Sequence, residues 1–223
     1  GMGRVTLLGK LDKIVETAGK EGIDVSGLEV INPEDNKGLL EQLAPVYCRI
    51  QNRDPSFFLK AAQGVIRRVA LGFDVGMIAL GHADCLVCGK VYDSEDVYLA
   101  IKTLIGTTAG VKAISGGFVM CSPNKATGTE GLIIAADISS IICPKDAQEL
   151  SDIALNTARD TETYFQANAK AAFVFAGSME SRKVKEALTQ ARKSAQGRFV
   201  IDGPMTLDRA LDQGYNAIVF PEL

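Results

Sequence analysis

The order of apolar patterns along this chain predicts an α/β protein with a mixed, mostly parallel sheet flanked by helices. Two observations carry that prediction. Short runs of β-type residues alternate with segments of helical spacing nearly throughout the 223 residues, which is the pattern of strands connected by packed helices. Most of the runs also stop at Gly, Pro or Asn, residues that end a strand or close a helix for identifiable steric reasons.

The elements follow in order. Residues 5–8 form a β-type run that ends at Gly9, and residues 12–20 carry Ile14, Val15 and Ala18 at helical spacing, closed by Gly22. Residues 28–31 are a second strand, stopped by Asn32-Pro33, since proline removes a ladder donor and disfavours helix before it. Residues 39–50 read as a helix, and residues 56–80 as two more that separate near Gly72. Residues 84–88 read as a buried strand ended by Gly89, with Ser94 or Asp96 capping a helix over residues 97–105. Residues 113–120, interrupted by Ser115-Gly116-Gly117, pair as a hairpin with residues 131–137 across a Gly- and Thr-rich turn, so this part of the sheet is antiparallel. Pro144-Lys145-Asp146 opens the longest helix, residues 147–165. Strands at residues 171–175, 199–202 and 217–220 then alternate with helices at residues 181–194 and 207–211, and Asp202 reads as a turn former ahead of Gly203-Pro204.

Composition narrows the functional classes. With 47% apolar and 23% charged residues the chain can bury a core without staples. A formal net charge of -3 and a pI of about 5.3 provide no general field for nucleic acid or anionic lipid, so any anion is held locally. The longest apolar stretch is broken by Gly72, Asp74 and Gly76, well short of the roughly 18 residues that span a bilayer. A soluble protein with no membrane and no nucleic-acid partner is expected. Cys48, Cys85, Cys88, Cys121 and Cys143 are an odd set in apolar surroundings, which suits a reducing, cytoplasmic compartment. Cys85-Leu86-Val87-Cys88 matches a CxxC. No second pair accompanies it and His82 is the only histidine, so small side chains on a buried strand are expected there rather than a metal site.

Several segments, in their order, resemble the phosphate acetyl/butyryltransferase family. They are Val5-Thr6-Leu7-Leu8-Gly9; Ile31-Asn32-Pro33; Leu80-Gly81-His82-Ala83-Asp84 through Gly89; and Asp146-Ala147-Gln148-Glu149-Leu150. Ile201-Asp202-Gly203-Pro204 with Leu207-Asp208 is the most specific, and Ile218-Val219-Phe220-Pro221 follows it. The resemblance implies one phosphate acyltransferase-like domain over residues 4–223, incomplete at both ends relative to the family. Its architecture would be like that of the isocitrate/isopropylmalate dehydrogenases, fold neighbours whose paired acidic metal site and nucleotide loop this sequence lacks. It further implies acyl transfer between acyl-CoA and phosphate in a cleft between two α/β domains. No metal or other cofactor is implied, coenzyme A being a substrate, and a homodimer is expected.

Such chemistry needs cations or backbone N–H groups for a phosphate dianion, a base, and donors for an oxyanion. The resemblance places a family arginine at Arg49, with Arg53 beside it. A second family arginine falls at Leu99, where Lys102 is the nearest cation, and a family histidine falls at Tyr92. The family's Ser-Arg-Gly segment has no counterpart before Leu223. Arg49 and Asp137 are the candidate catalytic residues, although Asp137 also reads as a strand-end acid in solvent. Arg53, Ser94, Lys102, Ser115 and Gly116 are the candidate substrate contacts. Ser94 is equally a helix cap, and Ser115-Gly116-Gly117 either offers N–H groups to a phosphate or marks a bulge. Asp74 interrupts an apolar helix, where Arg67 or Arg68 would be its partner. An inactive homologue that keeps a CoA-binding or assembly role is the alternative to an enzyme.

Overall fold

The computed structural model describes residues 3–69, 71–88, 91–136, 146–175 and 181–221, without the Lys37 side chain. The chain divides into two compact units, Gly1–Gly106 and Thr107–Leu223.

In the first unit, β1 (Thr6–Leu8) and β2 (Glu29–Ile31) pair in parallel, and α1 (Leu11–Glu21) connects them. Gly22 ends α1 in the left-handed conformation, φ 66°, with its N–H on the last carbonyls, which glycine enters without a Cβ penalty. Asn32 stops β2 and caps a short 3-10 turn, Pro33–Asp35. Four helices follow: α2 (Lys37–Ile50), α3 (Pro55–Ile66), α4 (Gly72–Ala79) and α5 (Ser94–Leu104). Their apolar faces meet in a core of Leu39, Leu43, Ile66, Leu71, Val75, Met77, Ala100 and Leu104. Gly76 is required there, because a Cβ on it would collide with the Leu43 side chain.

The second unit is a five-stranded sheet in the order β3-β4-β7-β5-β6. The hairpin forms as expected: β3 (Gly117–Cys121) runs antiparallel to β4 (Leu132–Ala136). All remaining pairs, among β4, β5 (Lys170–Val174), β6 (Val200–Met205) and β7 (Ala217–Val219), are parallel. The two faces of β5 part by alternation. Ala171 and Phe173 join Leu150, Ile153, Val184 and Ala191 beneath α6 (Ala147–Phe165) and α7 (Arg182–Ala195). Ala172 and Val174 join Met205, Tyr215, Ile218 and Ala210 of α8 (Leu207–Asp212) on the opposite face. Asp146 caps α6 by accepting the Glu149 N–H at 2.9 Å. The sheet is thus mixed, mostly parallel and flanked by helices.

Four expectations are corrected. Residues 84–88 are irregular coil rather than a buried strand: Val87 is 95% exposed and both cysteines of the CxxC face solvent. The apolar run there was short, and a four-to-five-residue run has no periodicity that separates strand from loop. The cap of α5 is Asp93, whose carboxylate accepts the Asp96 N–H at 3.0 Å, and not Ser94 or Asp96. Asp202 lies within β6, which continues through Gly203-Pro204 to Met205; β6 is an edge strand, where a missing proline donor is tolerated. The cysteines are not uniformly in apolar surroundings, since Cys48 is buried while Cys85, Cys88 and Cys121 are exposed. Gly89, Asp137, Cys143, Pro144 and Lys145 lie outside the described residues.

Candidate functional site

The first unit gathers three of the candidate cations at one end of its helix pack. Asn52, at φ 52°, turns the chain out of α2. Arg53 N–H bonds the Cys48 carbonyl at 2.7 Å and Asn52 N–H bonds that of Arg49 at 3.2 Å, the paired closure of a Schellman cap. Arg49 sits in the last turn of α2, exposed, and Arg53 follows the cap with its guanidinium 5.5 Å from the centroid of Phe58. The Gln51 side chain donates to the Lys102 and Thr103 carbonyls at 3.5 Å, which ties this end of α2 to the end of α5. Lys102 lies there, exposed, with its ammonium 5.9 Å from the Tyr98 ring.

None of Arg49, Arg53 and Lys102 forms an ion pair with a described residue. Their charges are open to an anion, and they offset the negative dipole ends of the two helices that meet there, which by themselves would oppose one. Leu99, one turn before Thr103, is 51% exposed on the same helix; its carbonyl accepts the Thr103 hydroxyl at 2.6 Å. Ser94 is exposed at the opposite end of α5, roughly 12 Å along the axis from Lys102 at 1.5 Å per residue. The structure therefore brings Arg49, Arg53 and Lys102 to one end and leaves Ser94 at the other.

Of the candidates in the second unit, Ser115 is half-buried just before β3, and its hydroxyl accepts from the Asn156 amide of α6 at 3.2 Å. Gly116 stands in the open with nothing within 4 Å of where a Cβ would be, whereas a Cβ on Gly117 would press on Ile134 at 2.9 Å. The close packing point of this glycine pair is thus Gly117. Asp137 lies outside the described residues.

A polar cluster that no sequence pattern singled out surrounds the Ile201-Asp202-Gly203-Pro204 segment. Arg192 of α7 donates its Nε to the Ile201 carbonyl at 2.7 Å and pairs through its other nitrogen with the Asp202 carboxylate. The Tyr215 hydroxyl donates to Asp202 Oδ2 at 2.7 Å, and the Lys170 ammonium lies 5.2 Å from the Tyr215 ring. Burial of the phenol, reinforced by the hydrogen bond to Asp202, pushes its pKa up to about 12. The cluster thus holds a carboxylate, a guanidinium and a protonated phenol in one network. Its members come from an edge strand, the helix packed on it and the loop before β7, ten and thirteen positions from Asp202. Only the Asp202 segment was visible in the sequence.

Elsewhere, Asp74 is half-buried and its carboxyl pKa is raised by desolvation. It has no ion pair with Arg67, Arg68 or any other described residue, so the expected partnership is not made. No cluster of three or more metal-ligating side chains exists among the described residues, and no helix there is long and apolar enough to cross a membrane.

An α/β scaffold with unpaired cations at a shared helix end is chemically suited to a multiply charged anion. Residues 1–223 match the family model described as Phosphate acetyl/butaryl transferase, and the chain belongs to that family. It is 30% identical to a phosphate acetyltransferase of Clostridium acetobutylicum over 99% of this chain and 67% of that protein. It is 31% identical to one of Treponema pallidum over 93% and 63%. The chain spans about two thirds of the length of the curated relatives it matches. Among solved structures it is similar to a phosphotransacetylase from Streptococcus pyogenes, with a TM-score of 0.71 and 25% identity, covering 97% of this chain and 68% of that one. The fold also matches the EutD phosphotransacetylase from Staphylococcus aureus, TM-score 0.70 at 24% identity, over 99% and 70% of the two chains.

Proposed function

We propose that this chain moves a short acyl group between coenzyme A and inorganic phosphate, with acetyl the first to test and propionyl and butyryl next. The observation that carries the reading is the family match over the whole chain together with relatives named phosphate acetyltransferase. Arg49 holds the phosphate dianion, supported by the neighbouring Arg53 and Lys102, whose charges no described acid neutralises. Asp137 acts as the base, and Ser94, Ser115 and Gly116 contact substrate. Coenzyme A is a substrate, and no other cofactor takes part. The free thiols of Cys48, Cys85, Cys88 and Cys121 support a reducing, cytoplasmic setting. Phe118, Val119 and Met120, all about half exposed on edge strand β3, support a homodimer that covers them.

Release of CoA thiol from acetyl-CoA, followed with a thiol reagent, is expected to require phosphate. Arg49→Ala is expected to lower the phosphate-dependent rate roughly a hundredfold, the scale for loss of one charged donor. Absence of phosphate-dependent release with acetyl-, propionyl- and butyryl-CoA would sink the enzyme reading. One observation favours a second reading, a catalytically inactive homologue with a CoA-binding or assembly role: exposed Leu99 occupies the place the resemblance gives to an arginine. Thermal stabilisation by CoA without turnover would select it.

A further inference from the structure

We propose that Cys85 and Cys88 are a reversible dithiol–disulfide site, closing within the chain when a small-molecule disulfide such as oxidised glutathione is present. The proposal is independent of the acyl-transfer reading. Both thiols are free and exposed, and they lie between α4 and α5 in the irregular stretch of residues 85–88. Leu86, between them, and Ala83, three residues before Leu86, pack on the helical core of the first unit. Val87 is 95% exposed. The connection is therefore pinned at its apolar residues, with both cysteines on the solvent side.

No backbone hydrogen bond holds the ring open, so closing it asks only for a turn about Leu86 and Val87. Residues 85–88 form neither a turn nor a bend, and no backbone hydrogen bond joins residues 83–88 to another described residue. An extended stretch places residues i and i+3 about 10 Å apart, whereas bridged cysteines need Cα atoms about 4.4–6.8 Å apart. A single four-residue turn supplies that separation. No ladder or helix bond is lost in making it. A metal is the other ligand a CxxC takes, but no described group of three or more ligating side chains includes this pair.

The chemistry balances with the oxidant named. One cysteine thiolate attacks the small disulfide, forms a mixed disulfide and releases one thiol. The second cysteine thiolate attacks the protein sulfur of that mixed disulfide and expels the other thiol. The two cysteines lose two electrons and two protons in all, and the small disulfide becomes two thiols. Buried Cys48 is closed to the reagent, while Cys121 is exposed on β3 and serves as an unpaired comparison.

The test incubates the reduced full chain with about 0.1 mM oxidised glutathione and maps the peptides by mass. A neighbouring thiol has an effective concentration on the order of 1 mM, so closure should outrun a second capture about tenfold. The peptide with Cys85 and Cys88 is expected to lose the mass of two hydrogens, and a reductant is expected to restore it. Cys85→Ser and Cys88→Ser should each hold one glutathione on the remaining cysteine, as Cys121 should in the parent protein. Glutathione on both Cys85 and Cys88 of the parent, disulfide-linked chains joined through either, or no reaction at either would overturn the proposal.

Discussion

Replacing Tyr215 by Phe removes one oxygen and tests the polar cluster on β6. The hydroxyl donates to the Asp202 carboxylate at 2.7 Å in a side chain only 6% exposed. A hydrogen bond to a charged group is worth about 1.5–3 kcal/mol. The rise of the phenol pKa from 10.0 to about 12 corresponds to at most about 2.7 kcal/mol, at 1.36 kcal/mol per unit. Only the first figure bears on the substitution at pH 8, where the phenol is neutral; the second sets how much is lost at high pH, since burial of the phenolate contributes most to it, and Asp202 is open enough for water to replace the donor. The net loss at pH 8 is therefore expected near about 1 kcal/mol.

The sign with pH is opposite to that of a paired acid. A folded-state pKa raised above the unfolded value gives stability that is complete below about pH 10 and disappears as pH rises toward about 12. The difference between parent and Tyr215→Phe should shrink from about pH 9 and reach or pass zero by about pH 11, read as urea midpoints at fixed m. The other four tyrosines cancel in the comparison. A difference that stays constant over that range would refute the reasoning, as would an ultraviolet titration in which the phenol lost on Tyr215→Phe ionises near pH 10.

Further outcomes follow from the same structure. Asp74→Asn should raise the melting temperature at pH 7, where burial penalises the unpaired carboxylate, and the gain should vanish as pH falls toward 4 and the parent acid protonates. Gly203→Ala should destabilise the second unit by about 3 kcal/mol, measured by denaturant unfolding, since φ is 120° and the new Cβ would lie 2.6 Å from the Phe173 carbonyl oxygen. Phe173→Ala, which empties a fully buried ring site between β5 and the helices above it, should cost about 4 kcal/mol in the same assay.

How legible these features were depended on how local their causes are. The Gly22 stop of α1, the Asn32-Pro33 end of β2 and the glycine-rich hairpin turn all appear where the sequence placed them, because each depends on backbone preferences of a few adjacent residues. The long helix α6 was equally legible, since its buried positions Leu150, Ile153, Ala154, Thr157 and Thr161 recur on one face. Residues 84–88 were misread for the complementary reason. Their apolar character signals that something is covered, and here only Leu86 of the five packs against the core.

The candidate site divides in the same way. Arg49, Arg53 and Lys102 are visible as cations near helix ends, but their common location depends on Gln51 reaching the end of α5 across about fifty residues of chain. Ser94, on the same helix as Lys102, is carried to the far end by the helical rise itself. The Arg192–Asp202–Tyr215 network was not legible at all, because none of its spacings matches a local pattern and each member is commonplace alone.

The sequence by itself therefore determined the fold class, the family, the order of elements apart from the strand expected at residues 84–88, and most of their ends, properties that arise from periodicity and from the sterics of neighbouring residues. Only the tertiary structure decided which side of a surface each polar group faces, that Asp202 is a strand residue held by Arg192 and Tyr215, and that the CxxC is open to solvent. Those outcomes depend on packing between segments distant in the chain, where burial and hydrogen-bond partners are assigned by the whole fold rather than by any stretch of it.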